Sequence, residues 1–281
     1  MSTRPVAAFL LALTAFGQTP ATGPRFEAAS IRPATVSGPR GRGARGVIDA
    51  SRVELLGTTL PQLIRRAYRL EPYQNVTGPD WTKKMYYDVF ASLPMGGTKE
   101  QVPEMLQVLL ADQLQLVIRR ESLEQPVCVL SVGKGGPKLK EVPADLTPEA
   151  VLPHSDGRTA VLRTKSADGY LTYSRLNGTV VLDTTKISMH ELAIAIGKEV
   201  GLPVFDRTGL KGFYEVSLFV PGTLVKSGAP KGEREDSWTA SDPEGVNIYK
   251  SIQRLGLKLE KTKAPIEYLV VEHAEQIPIQ R

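Results

Sequence analysis

The feature that most constrains this chain is a helix entry written in nearly the same letters at two places, each behind an apolar extended run. At the first, Leu60, Leu63, Ile64, Ala67 and Tyr68 recur at i, i+3, i+4, i+7 and i+8. That spacing lays one apolar stripe along an α-helix. Thr59 and Gln62 have the separation of a capping box, and Pro61 is tolerated in a first turn whose N–H groups lack helical partners. At the second, Ser188 and Glu191 repeat the box, Met189, Leu192, Ala193, Ile196 and Val200 supply the stripe, and Gly201 stops it. A helix with one apolar face must lie on another layer, so each entry demands a sheet or helix beneath it.

The neighbouring segments follow a shared order. Phe26–Ile31 reads as a strand ended by Arg32-Pro33, and Val53, Leu55 and Leu56 as another leading into the first helix. Gln74–Gly78 is a short strand and turn, and Met85–Ala91 is aromatic-rich and extended. Thr98 and Gln101 then open a helix with Val102, Met105, Leu106, Leu109, Leu110 and Leu114 on one side. Leu116–Arg120 and Val127–Val132 make a hairpin turning at Glu124-Gln125-Pro126. Later, 170–173, 180–182 and 213–220 are strands, and Ile248, Ile252 and Leu255 mark a helix. Leu257–Leu259 with Ile266–Val271 close a second hairpin. Thr77-Gly78 and Tyr87-Asp88-Val89 are echoed by Thr208-Gly209 and Tyr214-Glu215-Val216. The expectation is an α+β fold of two tandem β-α-β-β-α-β-β units, each a small mixed sheet with two helices on one face, produced by internal duplication. The first unit is placed at 26–142, a connector at 143–165, and the second unit at 166–281 with a mobile insertion at 221–243.

Residues 1–17 have the form of an export signal: Arg4, an apolar core from Val6 to Phe16, and a small-x-small end at Ala15-Phe16-Gly17, with Ala21 as the other cleavage position. The apolar run is shorter than the roughly 20 residues a bilayer span needs. A soluble periplasmic or extracellular protein is expected, with no membrane span after signal removal. Cys128 is the single cysteine, so no internal disulfide can form, and its apolar neighbours mark it as a core residue rather than a reactive thiol. The net charge of +5, from 35 basic and 30 acidic residues, is spread along the chain and reads as a solubilising surface.

Phe26-Glu-Ala-Ala-Ser-Ile-Arg-Pro33, Thr59-Leu-x-x-Leu-Ile64, Gly78-Pro-Asp-Trp81, Leu109-Leu-Ala-Asp-Gln-Leu114, Lys134-Gly-Gly-Pro-Lys-Leu139, Val204–Tyr214 and Leu255–Pro265 stand in one order across the chain. This set resembles the soil-associated exported protein family, a domain of unknown function with many paralogues in soil bacteria. The resemblance implies a sensing or interaction role, because some relatives look like appendages of BlaR-type membrane metallopeptidase sensors. The order of elements in each half also resembles the short N-terminal domain of secretins and TonB-dependent receptors.

The residues do not spell a catalytic set. His190-Glu191 begins like a zinc-peptidase helix, but Ile194 stands where the second histidine is required. Gly133–Lys140 has the glycines and lysines of a phosphate loop in the wrong order, and reads as a turn. Asp88 and Glu215 occupy matching places, as a catalytic carboxylate pair would, yet each follows a tyrosine on the outward face of an alternating strand. Neither catalytic nor metal-binding residues are expected, and no cofactor. The candidate binding residues are Trp238, in a polar insertion where a core role is hard to supply, Trp81, and Arg40, Arg42 and Arg45 in a glycine-rich loop at 37–46. The expected function is a non-enzymatic exported binding or sensing module whose partner is another envelope protein or an extracellular ligand, with no specific nucleic acid. The competing expectation is an envelope hydrolase of glycan or peptide using Asp88 or Glu215.

Overall fold

The computed structural model describes residues 23–34, 45–49, 51–147, 161–165, 167–176, 179–220 and 248–279. The export signal at 1–17, Arg40, Arg42, Trp238 and the insertion at 221–243 lie outside the described residues. The fold is α+β, and the chain divides into two compact units, residues 1–121 with 268–281, and residues 122–267.

The first unit is built on a four-stranded antiparallel sheet. Its strands are β1 (Ala28–Pro33), β2 (Arg45–Ile48), β3 (Arg52–Thr59) and, after β4 (Val76–Thr77), β5 (Tyr86–Ser92), in the order β1-β5-β3-β2. Arg45 and Gly46, expected in a mobile loop, pair with Leu56 and Leu55 instead. Between β3 and β5 the register shifts from Leu55↔Val89 to Thr58↔Tyr87. Leu56 and Gly57 therefore bulge opposite Asp88 alone. Gly57 sits at φ +61, the left-handed region glycine enters without a Cβ penalty.

The bulge leads into α1 (Leu60–Ala67), whose Leu60, Leu63, Ile64 and Ala67 are all buried as the stripe predicts. Gln62 Oε1 accepts the Thr59 N–H at 2.9 Å. A short helix, α2 (Trp81–Lys84), precedes β5, and α3 (Val102–Leu114) follows a 3-10 turn at Lys99–Gln101. Helices α1 and α3 pack with Ile31, Val53, Leu55 and Val89 of the sheet into one core. Burying each such leucine or isoleucine contributes about 1.5–3 kcal/mol before chain entropy is counted. Gln113 covers the outer edge of β1: its amide accepts from Ile31 N at 2.8 Å and donates to Ala29 O at 3.0 Å. That amide occupies one donor and one acceptor in the middle of the edge, where a further strand would have to pair.

In the second unit β7 (Lys140–Val142), β8 (Val161–Lys165), β9 (Tyr170–Leu176), β10 (Thr179–Ser188) and β12 (Phe213–Val220) form a five-stranded antiparallel sheet ordered β7-β12-β10-β9-β8. The helix α4 (Met189–Val200) follows β10, β11 (Val204–Asp206) precedes β12, and α5 (Ile248–Arg254) follows it. Helices and sheet share a second core around Leu182, Leu192, Ile196, Leu218 and Ile252. Here too a bulge precedes the helix: Thr184 pairs with Val216 and Ile187 with Tyr214, leaving Thr185 and Lys186 opposite Glu215. The cap of α4 departs from the expected box. Ser188 Oγ accepts the Glu191 N–H at 3.3 Å, but the Ser188 N–H goes to Asp168 Oδ2 at 2.8 Å rather than to Glu191. A carboxylate from the connection between β8 and β9 satisfies the donor that a local Glu was expected to take.

The expected hairpins are not present. β6 runs unbroken from Val117 to Val132, and β13 from Leu257 to His273. Glu124, Gln125 and Pro126 are extended residues of β6. The reason lies in where the two ends of each strand are buried. Ile118 packs against the first core while Cys128 and Leu130 belong to the second, and Leu257 and Leu259 belong to the second while Leu269 and Val271 belong to the first. β6 and β13 are hydrogen-bonded neighbours in a sheet ordered β11-β6-β13-β4. Two short parallel pairs complete it, Val204–Asp206 against Cys128–Leu130 and Val76–Thr77 against Leu269–Val270.

The boundaries shift accordingly. Residues 268–281, read as part of the second unit, cluster with the first; Glu275 N donates to Leu114 O at 2.7 Å and Ile279 N to Gln113 O at 2.8 Å. Residues 122–142, read as part of the first, cluster with the second. The stretch read as a connector contributes β8, and its start is held by Lys186, whose Nζ donates to Ala144 O at 2.6 Å and Leu146 O at 3.1 Å and stands 4.7 Å from the Phe213 ring centre. The expected turn at 133–140 packs on the end of α5, through Gly133 N to Gly256 O and Lys138 N to Leu255 O, both 2.8 Å. The motifs Lys134–Leu139 and Leu255–Leu257, far apart in sequence, are thus one interlocked corner.

Candidate functional site

The site follows from the alternation of β5. Tyr87, Val89 and Ala91 are buried at 0%, 0% and 7% exposure, so the intervening side chains face away from the helices, and Phe90 is left 41% exposed. Register then fixes its neighbours. Ser30 and Glu54 pair directly with Phe90 on either side, and Val47 pairs with Glu54 beyond. In the next row Ala28, Ser92 and Arg52 stand side by side. Adjacent strands are ~4.8 Å apart and successive rows roughly 6.8 Å apart. Because Ala28, Ser30 and Ser92 are small, the ring stands in a hollow of about 390 Å³, lined by these three with Phe90, Arg52 and Glu54.

The polar rim is fixed in advance by the turn between β2 and β3. The Asp49 carboxylate accepts from Ser51 N at 2.8 Å, Arg52 N at 2.8 Å, Ser51 Oγ at 2.9 Å and Arg52 Nε at 3.2 Å. These bonds, led by the Ser51 and Arg52 backbone N–H groups, hold its pKa down at about 2. Arg52 Nη1 reaches Glu54 Oε1 at 3.2 Å on the other side. The guanidinium is therefore held between two carboxylates beside the ring. Such a face offers an aromatic surface, two hydroxyls, fixed donors and fixed acceptors.

Asp88 accepts the Gly57 N–H at 2.7 Å, so its carboxylate satisfies the donor freed by the bulge. Glu215 pairs with Lys140 Nζ. Each carboxylate has a structural partner, and both stand where their strands face a bulge. Trp81 is half-buried against the first core. Arg45 pairs through its backbone at the β2 edge of the sheet that carries Phe90. His190 lies exposed near the start of α4, and His273 Nε2 is 3.3 Å from Glu275. Cys128 is fully buried, and burial pushes its thiol pKa up. Among the described residues no cluster of three or more His, Cys, Asp or Glu is placed to hold a metal, and no helix is long and apolar enough to cross a membrane.

Sequence reasoning missed Phe90, Ser30, Ser92, Arg52 and Glu54. One signal was available: the alternation that turns Asp88 outward turns Phe90 outward as well, and a phenylalanine on a solvent face has no polar tip to offer water.

An α+β protein with an open aromatic sheet face is the class that fold and site define. Residues 61–274 match the family described as a protein of unknown function, DUF3738, and the chain belongs to that family. No curated protein and no solved structure matches it.

Proposed function

We propose that this protein is an exported, non-enzymatic binding or interaction module of the cell envelope, acting in the periplasm or outside the cell. The observation that carries the binding role is the outward face of the first sheet. Phe90 and Val47 are 41% and 47% exposed in one row, and a charged rim is already ordered around the ring before any partner arrives. The signal-like pattern of residues 1–17 supports export. The motifs shared with the soil-associated exported family, and the likeness of each half to the secretin and TonB short N-terminal domain, support an envelope role and an ancestral duplication. Asp88 and Glu215, the carboxylates the hydrolase reading would use, are engaged by the Gly57 N–H and by Lys140.

The experiment is affinity capture from envelope extract at several salt concentrations, comparing the full chain with Phe90→Ser. Capture of a protein or a glycan above background that is lost in the variant supports the reading; capture equal in both, or neither kind captured with either form, overturns it.

A further inference from the structure

We propose that the hollow around Phe90 is a subsite for one pyranose ring of a neutral glycan; this deepens the binding reading and rests on it. The argument begins with shape. The aromatic surface is flanked by Ser30 and Glu54, with Ala28, Ser92 and Arg52 in the next row, so the space over and beside the ring is open on the side of the small residues. Three strands and two rows span roughly 10 Å by 7 Å, enough for one saturated six-membered ring lying over the aromatic surface. A sugar ring presents an apolar C–H face, which an aromatic surface covers well, and a perimeter of hydroxyls that must be met by donors and acceptors together.

The rim has both kinds. Arg52 donates only, Glu54 accepts only, and the Ser30 and Ser92 hydroxyls do either. Arg52 and Glu54 are planar groups in contact at 3.2 Å, so together they can meet two vicinal hydroxyls, one as acceptor and one as donor. Charge narrows the ligand further. Around Phe90, Asp49, Glu54 and Asp88 set against Arg52 and Arg32 leave one net negative charge (three acidic, two basic), which disfavours phosphate, carboxylate or nucleic acid. A cation would have to compete with the Arg52 guanidinium, which already stands between the Asp49 and Glu54 carboxylates. A flat apolar ligand would cover the ring but offer nothing to the Ser30 and Ser92 hydroxyls or to the remaining donor and acceptor capacity of Arg52 and Glu54. The neutral polyol with one apolar face fits all three constraints.

The test is an amide NMR titration of the full chain with cellohexaose and, separately, chitohexaose, up to about 10 mM, because a single shallow subsite gives dissociation constants of order 1 mM. The expected result is saturable shifts at Ser30, Arg52, Phe90 and Ser92 with at least one oligosaccharide. Phe90→Ser should weaken binding at least tenfold, Phe90→Tyr should retain it, and Ser30→Leu, which fills the hollow, should abolish it, all with unchanged thermal midpoints. No saturable shift with either sugar, or shifts that survive in both Phe90→Ser and Ser30→Leu, overturns the proposal. If the sugars fail while Phe90-dependent capture of an envelope protein succeeds, the glycan assignment falls and the binding-module reading stands. If the capture fails as well, both fall.

Discussion

Gly256 offers the sharpest test of how the second unit is held together. It lies at φ +71, and a Cβ there would land on the Gly136 carbonyl oxygen and 2.8 Å from Lys138 N, both backbone atoms. Gly209 has the same φ of +71 but open space around its missing Cβ. Alanine at either site enters the left-handed region at a cost of about 1–2 kcal/mol. At Gly256 the 133–138 corner must also retreat, and its anchoring bonds, Gly133 N to Gly256 O and Lys138 N to Leu255 O, are both 2.8 Å. Overpacking adds roughly 1–3 kcal/mol, and each bond lost about 1. The change in unfolded-chain entropy is common to the two variants and cancels. Gly256→Ala should therefore cost about 2–3 kcal/mol more than Gly209→Ala. Cys128 is the only cysteine and is buried in the same core, so its rate of labelling by a thiol reagent reports opening of this unit. Labelling should accelerate about 5- to 30-fold in Gly209→Ala and roughly two orders of magnitude further in Gly256→Ala. Equal acceleration in the two variants would refute the interlocked corner.

Two further outcomes are expected. Asp88→Ala leaves the Gly57 N–H of the bulge without its carboxylate and should cost about 1–2 kcal/mol in urea unfolding, while Asp88→Asn, which keeps an acceptor oxygen, should recover most of it; equal losses would show that the bond to Gly57 does not matter. Burial pushes the Glu199 carboxyl up to about 7, against the pull of Lys198. The native state therefore holds a proton that the unfolded state releases near 4.5, so stability is fully present below that pH and is lost as pH rises through 7. Glu199→Gln should flatten this decline, which is on the order of 1 kcal/mol once solvent screening at a part-buried group is allowed for; pH-dependent urea midpoints check it, and an unchanged slope in the variant counts against it.

The helices were legible because their signals are local. The stripe at Leu60–Ala67, the two caps with Gln62 and Gln101, and the Gly201 stop all act within one or two turns. The strands were harder. Glu124-Gln125-Pro126 has the composition of a turn, and nothing near it announces that Ile118 and Leu130 are destined for different cores. That demand is met only by residues more than a hundred positions away. Ser188 shows the same limit on a smaller scale, since the donor its neighbour was expected to satisfy is taken by Asp168. Phe90 was legible in principle, from the same alternation that turns Asp88 outward.

Residues 122–267 form one compact unit whose two ends enter and leave by adjacent strands, with Glu121 and Tyr268 joined by a hydrogen bond from phenol to carboxylate. In chain order the inner body is therefore threaded into the outer one like a guest sequence, not appended after it. A cut midway, near residue 143, would leave two orphans. Deleting the guest and bridging Glu121 to Tyr268 with an Asn-Gly reverse turn should leave a miniature host that still displays Phe90.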